Sequence, residues 1–286
     1  MGNIKGVIPQ VWLSGALQAY RDQSVFANLA NTSYKEAVIN AGDKIKINTI
    51  LPFTAQTYDS THGITYTDVD STQQEIDVNQ EIVVPGSFPD IITYQSNMDL
   101  LSVSLNEMGV ALSENIDAYI ADLHANATSK IGTTDSPVEL TSADMLDLFS
   151  EVAKKLSEKK TPKFNLVCVA PPWFIQKVLK ANVTGNTSNS EALANGFVGK
   201  YWGFELYETN NIATHVDGET WYAPMFFKKQ DSIGLVDQLK RFEVMRDKDF
   251  LKDYARLYGV YGAKIVRPDT VATVYSVAGS ESANHN

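Results

Sequence analysis

Few residues in this 286-residue chain have the type and spacing that chemistry needs. The one thiol, Cys168, lies inside the apolar run FNLVCVA that starts at Phe164. A catalytic cysteine needs a lowered pKa and a base within reach, and an apolar strand supplies neither. One cysteine also excludes an internal disulfide and a cysteine-based metal site. His62, His124, His215 and His285 are scattered, with no helical pairing suited to zinc. His215, in THVDG, reads as a turn residue. Gly196-Phe-Val-Gly199-Lys200 has the outline of a phosphate loop only. That loop needs four residues between its glycines and Ser or Thr after Lys, and here Tyr201 follows. Asp68-Val-Asp70 offers oxygens to Ca²⁺, but no spaced third ligand or Glu completes a known loop. Asn182-Val-Thr184 and Asn186-Thr-Ser188 match the glycosylation acceptor pattern, which carries no meaning without a secretory signal. The expectation is a protein that is not an enzyme and uses no cofactor or metal.

Charge is more informative. The formal net charge is −10, which argues against a dedicated nucleic-acid binder. No Lys or Arg occurs from Ile47 to Ser129, a stretch with twelve acids. Trp221 to Arg267 reverses this, with ten Lys or Arg against six Asp or Glu. Two readings follow: solubility alone, or two faces that attract, within a subunit or between copies. The N-terminal MGNIKGVIPQVW lacks the apolar run of a signal peptide, Gly6 breaks the myristoylation pattern, and no stretch is long enough to span a bilayer. A chain that folds in a cytoplasm, away from membranes, is expected.

The elements that would position these residues are legible from periodicity. With 44% hydrophobic residues the chain can bury a sizeable core. Residues 8–22 read as an approach segment and a short amphipathic helix carrying Trp12, which must lie on its own domain or a neighbour. Residues 43–54 and 74–84 alternate as strands. The polar run between them makes a long hairpin with little core of its own. Met98, Leu101, Leu105, Met108, Leu112, Ile116, Tyr119 and Leu123 form one helical stripe. A helix from about Tyr94 to about Ala125 would be on the order of 45 Å long. A second helix is expected over 141–160, opened by Thr141 with Asp144 or by Ser142, then an apolar strand and a short helix WFIQKVLKA. Trp221–Phe227, Ser232–Leu235, Phe242–Val244 and Leu257–Val266 are candidate strands. The fold class is α+β: a long helix against an antiparallel sheet, an inserted α/β lobe and two extensions.

Several segments together resemble a known family. Ile8-Pro9-Gln10-Val11-Trp12, Ser24-Val25-Phe26-Ala27-Asn28-Leu29-Ala30-Asn31 and Gly42-Asp43-Lys44-Ile45-Lys46-Ile47 resemble the N-terminal pattern of the major capsid proteins of tailed bacteriophages. Gly109 to Asp117 is similar to that family's spine helix, where small residues precede an Asp. Asn195-Gly196-Phe-Val-Gly199 through Asn210-Asn211, and Tyr261-Gly262-Ala263-Lys264-Ile265-Val266-Arg267-Pro268, match its later passages in order. The loop 182–195 and Thr93–Asn97 depart from the pattern.

The resemblance implies the Hong Kong 97-like capsid fold. Residues 1–40 would be the N-arm and 41–92 an extended loop over a neighbour. Residues 93–134 and 219–276 would be the peripheral domain with the spine helix, 135–218 the axial domain and 277–286 a flexible tail. Partners would be further copies, as pentamers and hexamers closing an icosahedral head, with scaffolding and portal proteins. Double-stranded DNA would be enclosed without specific binding. An encapsulin-like nanocompartment subunit is the alternative. The inter-subunit contacts expected are Trp12, then Asp68, Asp70, Glu75 and Asp77 of the acidic loop, which has no cation to pair with locally, against Lys240, Arg241 and Arg246. Some relatives crosslink an arm Lys to Asn. Lys44 and Lys46 sit at the base of the strand, so unlinked chains are expected.

Overall fold

The computed structural model describes residue 20 and residues 23–33, 44–50, 71–89, 100–181, 197–215 and 221–279. Among the described residues the α-helices are α1 (Phe26–Leu29), α2 (Leu100–Asp122), α3 (Met145–Glu158) and α4 (Pro172–Ala181). At 1.5 Å per residue α2 is about 35 Å long. Met108, Leu112 and Ile116 are buried along it, with Tyr119 and Leu123 partly so. Its expected first residues, 94–99, and the side chains of Leu101 and Leu105 lie outside the described residues.

Helix α2 packs on a three-stranded antiparallel sheet. The sheet's order is β12 (Ile233–Arg246), β13 (Lys252–Ile265) and β3 (Gln80–Pro89). Tyr261 ties helix to sheet: its hydroxyl donates to Asn115 at 2.8 Å, and its ring meets Tyr119 edge-on at 5.2 Å. The strands expected at 232–235 and 242–244 are one element, β12. A bulge between Leu239 and Arg241 shifts the register by one residue, and the pairing with β13 continues on both sides of it.

The strand expected at 74–84 is two. β2 (Ser71–Asp77) pairs with β1 (Lys44–Ile50), and β3 departs to join β13. The base of this hairpin has more packing than its composition suggests. Ile45, Ile47, Ile76 and Val78 are buried against Val236, Val260 and Val266 of the subunit's own sheet region. Gly262 permits that approach, because a Cβ there would fall on the Asp77 carbonyl.

The second lobe is a six-stranded mixed sheet. It is built from β4 (Ser129–Ile131), β6 (Leu166–Ala170), β7 (Phe197–Tyr201), β8 (Phe204–Glu208), β11 (Met225–Lys228) and β14 (Val271–Val274). β6–β8 and β4–β14 are parallel. Helices α3 and α4 cover it through Phe149, Phe174, Phe204 and Phe226, whose rings meet at 5.3–6.5 Å. Helix α3 begins at Met145, later than expected. Asp144 reaches back to Thr141, accepting its amide at 2.9 Å and its hydroxyl at 2.6 Å, so the expected cap closes a turn before the helix.

Candidate assembly surfaces

Three places on the molecule hold extensions to the core or present charge and apolar surface. The first joins the N-terminal segment to α2. Val25 and Ala27 donate their amides to the two carboxylate oxygens of Asp117, at 2.7 and 3.0 Å. The acid thereby satisfies first-turn donors that a four-residue helix leaves open. Past α1 the segment continues onto the sheet. Asn31 donates to the Ile233 carbonyl at 2.7 Å and accepts from the Leu235 amide at 2.9 Å. Phe26 stacks on Phe227 at 6.2 Å, and Val25, Ala27, Leu29 and Ala30 are buried with it.

Asp117 is 1% exposed. Burial pushes its carboxyl up to about 6, and the amides of Val25, Ala27 and Phe26 offset part of that. Its role was missed in the sequence, although a signal exists. An acid at 117 sits between Leu112, Ile116 and Ile120 on a helix that carries no Lys or Arg. A buried carboxylate without a cation must find amide donors elsewhere.

The second place is the hairpin base, where an expectation is corrected. Glu75 and Asp77 do have local cations. Antiparallel register puts Lys44 opposite Asp77 and Lys46 opposite Glu75. Lys44 Nζ lies 3.4 Å from Glu75 and 3.3 Å from Asp77, and Lys46 lies 3.9 Å from Glu75. Hydrogen bonds to Asp77 and Glu75 raise the Lys44 pKa. Lys264 Nζ also donates to the Glu75 carbonyl at 2.9 Å. On the opposing set, Arg246 pairs with Asp253 at 3.1 Å within its own hairpin. Trp12, Asp68 and Asp70 lie outside the described residues, as do the side chains of Lys240 and Arg241.

The third place is the mixed-sheet lobe. A cavity of about 690 Å³ opens between Ser142, Leu146, Ala181, Tyr201 and Trp202. Lys200 at its edge is held by Glu205 at 3.0 Å. The β7–β8 turn places Trp202 and Gly203 at φ of 50° and 85°, as a tight two-residue hairpin turn requires. Trp202 is left 54% exposed. Nearby, Lys177 is buried and donates to the carbonyls of Leu140 and Gly279 at 2.6 and 2.7 Å. It thus clamps β5 (Val138–Leu140) beside β15 (Ser276–Ala278).

Catalytic arrangements do not emerge from these groups. Cys168 is fully buried in β6, and burial pushes its thiol well above the usual range. Among the described residues, no cluster of three or more His, Cys, Asp or Glu side chains could hold a metal ion. No described helix is long and apolar enough to cross a membrane.

A family model described as phage capsid protein matches residues 51–274. No curated protein matches the chain. Among solved structures, a chain from Mycobacterium phage Che8 is similar at 23% identity and TM-score 0.69, covering 88% of this chain and 91% of that one. The capsid structure of cyanophage P-SCSP1u is similar at 16% identity and TM-score 0.65, covering 90% and 89%. A virus-like particle from Pyrococcus furiosus is similar at 11% identity and TM-score 0.57, covering 93% and 99%. These likenesses establish the fold as the α+β, Hong Kong 97-like fold expected from the sequence.

Proposed function

The chain belongs to the phage capsid protein family, and from that premise we propose that copies of it gather into pentamers and hexamers that close an icosahedral head around double-stranded DNA. The observation that carries this reading is the family match over 51–274, which takes in both the long helix and the mixed-sheet lobe. In this reading residues 1–40 are the N-arm and 41–92 the extended loop. Residues 93–134 and 219–276 form the peripheral domain, 135–218 the axial domain, whose sheet β4, β11 and β14 complete from the flanking chain, and 277–286 a tail. The work is association, not catalysis. Apolar burial and complementary charge between copies hold the shell. A subunit of charge −10 binds DNA weakly and lets it slide inward. Scaffolding and portal proteins guide assembly in the host cytoplasm.

The encapsulin-like alternative has the same fold available to it, but the family match is to phage capsids. The test is electron microscopy of the purified chain, with assay of particle contents. Closed shells are expected, and in infected cells shells that hold genomic DNA. A protein cargo in place of DNA would favour the alternative. Single chains at micromolar concentration, under every salt and scaffold condition, would overturn both.

A further inference from the structure

Where the end of α3 meets the end of β11, the surface carries a charge opposite to that of the whole chain. Lys159 and Lys160 follow α3, Lys163 lies in the turn to β6, and Lys228 and Lys229 stand at the end of β11. Contacts join them into one surface. Asp269 pairs with Lys159 at 3.7 Å, and its carbonyl accepts the Thr161 hydroxyl at 3.3 Å. Asp231 links Lys228 at 2.8 Å to Arg267 at 3.1 Å. Lys228 Nζ also lies 4.7 Å from the ring centre of Phe164, which is 61% exposed. Lys229 donates its amide to the Asn165 carbonyl at 2.9 Å and its Nζ to the Tyr207 hydroxyl at 3.4 Å. Glu158, next to Lys159 in the chain, pairs with Lys154 at 4.0 Å. Six cations thus share Asp231 and Asp269, on a chain of net charge −10. Among the described residues, Lys160, Lys163 and Lys229 have no carboxylate partner.

The backbone here does not favour the residues it carries. Helix α3 ends in a Schellman motif: the Thr161 amide donates to the Leu156 carbonyl at 3.1 Å and the Lys160 amide to that of Ser157 at 2.9 Å. The motif holds Lys160 at φ 58°, where glycine is the usual residue. Asn165 and Gln230, on the same surface, both stand at φ 57°. Such strained positions gather at functional sites. A cation near a helix C-terminus also suits the helix dipole, but Lys163 and Lys229 lie on no helix. Composition decides the partner. Arg267 is the one arginine of the six cations, and Asp231 already engages it. Protein interfaces are depleted in Lys and bury an apolar core, whereas this surface is rich in Lys around a single exposed ring. A lysine ammonium binds phosphate as a point charge, and duplex DNA presents one charge per about 1.7 Å of its axis. The chain's net charge turns a duplex away at a distance. Within a Debye length of about 8 Å the local surface governs instead.

We infer that Lys160, Lys163 and Lys229 form a sequence-independent contact for the phosphate backbone of double-stranded DNA. This rests on the capsid reading above and names where the subunit touches what the shell encloses. The test is fluorescence anisotropy of a labelled 30-base-pair duplex titrated with the full-length chain at 50 to 200 mM salt. Each phosphate contact contributes about −0.9 to the slope of log affinity against log salt. Lys160→Gly, Lys163→Gln and Lys229→Gln together should make the slope shallower by about 2.7 and weaken binding at 50 mM at least tenfold. Lys154→Gln, Lys200→Gln and Lys248→Gln together also take the formal charge from −10 to −13, and should keep the parental slope. Lys160→Gly alone should raise the melting temperature, because glycine adopts that φ freely, yet make the slope shallower by about 0.9. A residue that only ends the helix would give the first change without the second. Equal slopes for the two triple variants would overturn the inference. So would tighter binding of the parent to polyglutamate than to the duplex, which reassigns the surface to an acidic protein segment. Tighter binding to phosphatidylglycerol vesicles than to the duplex would reassign it to a lipid surface. A parent that forms closed shells yet binds no duplex at 50 mM salt would sink the inference and leave the capsid reading intact. A parent that binds the duplex through these lysines yet never assembles would keep the contact and overturn the capsid reading.

Discussion

Among single residues, Asp117 has the largest consequences. Its side chain is the N-terminal segment's carboxylate partner on α2. Asp117→Ala would leave the amides of Val25 and Ala27 buried without an acceptor, at a cost of about 1–3 kcal/mol for each donor. Urea unfolding should show that loss, and limited proteolysis should cut the N-terminal segment sooner. The pH dependence has a definite sign. The folded carboxyl titrates at about 6, above its ordinary 3.8, so the native state holds the proton more tightly than the unfolded chain. That contribution is fully present below about pH 4 and is lost as pH rises through about 6. Other carboxylates, such as Asp144, are depressed and act in the opposite sense. The difference between parent and Asp117→Asn isolates the one group. Relative to the variant, the parent should gain on the order of 2–3 kcal/mol between pH 7 and pH 4. A flat difference across that range would place the carboxyl near its ordinary pKa. Lys44 makes a second case at this scale. An isopeptide crosslink needs a neutral amine to attack an Asn carboxamide, and Asp77 and Glu75 hold the Lys44 ammonium protonated. Shells boiled in denaturant should release single chains, and covalent ladders on the gel would contradict this. The Lys44 and Lys46 pairings were not legible because 29 to 33 residues of chain separate the partners. Cross-strand register, not sequence distance, brings them together.

Elements with one strong period were legible and those with two partners were not. The α2 stripe repeats at steps of three and four, and Met108, Leu112 and Ile116 are buried as that period demands. Leu112→Asp should therefore remove soluble protein, since it places an unpaired charge in the main core. Normal solubility would mean that this face is not the buried one. The alternation across 71–89 gives no sign that one stretch serves two sheets. β2 belongs to the hairpin and β3 to the sheet beneath α2, and the switch after Asp77 is set by packing on β13. Gly262 is the hinge of that arrangement because its missing side chain makes room for the Asp77 carbonyl. Gly262→Ala should lift the hairpin base from β13 and cost about 1–3 kcal/mol as overpacking. Thermal melting measures the loss, and faster hydrogen exchange confined to 44–50 and 71–77 would locate it. An unchanged melt would show that the hairpin can shift without penalty.

At the scale of the whole molecule, two electrostatic effects oppose each other. Copies of charge −10 repel, while an acidic loop lying over a neighbour's basic strands would attract. The uneven charge was plain in the sequence, but its division between internal and external pairing was not. Glu75 and Asp77 are matched by Lys44 and Lys46 of the same chain. Removing them would strand two cations and confuse the outcome. Asp68 and Asp70 lie in the stretch from Ile47 to Ser129, which carries no Lys or Arg. Asp68→Asn with Asp70→Asn takes the formal charge from −10 to −8. If repulsion governs, the variant assembles faster. If the two acids meet Lys240 and Arg241 of a neighbour, it assembles more slowly despite the weaker repulsion. We expect slower assembly, because a direct pair acts within a few ångströms while net repulsion is screened beyond a Debye length of about 8 Å at physiological ionic strength. Each exposed pair contributes only about 0.2–1 kcal/mol, but a shell repeats it at every equivalent contact. Light scattering at 50, 150 and 500 mM salt follows the rate, with circular dichroism to confirm the fold. The gap between parent and variant should narrow as salt rises. Faster assembly by the variant, or a gap that salt leaves untouched, would assign the acidic loop to solubility.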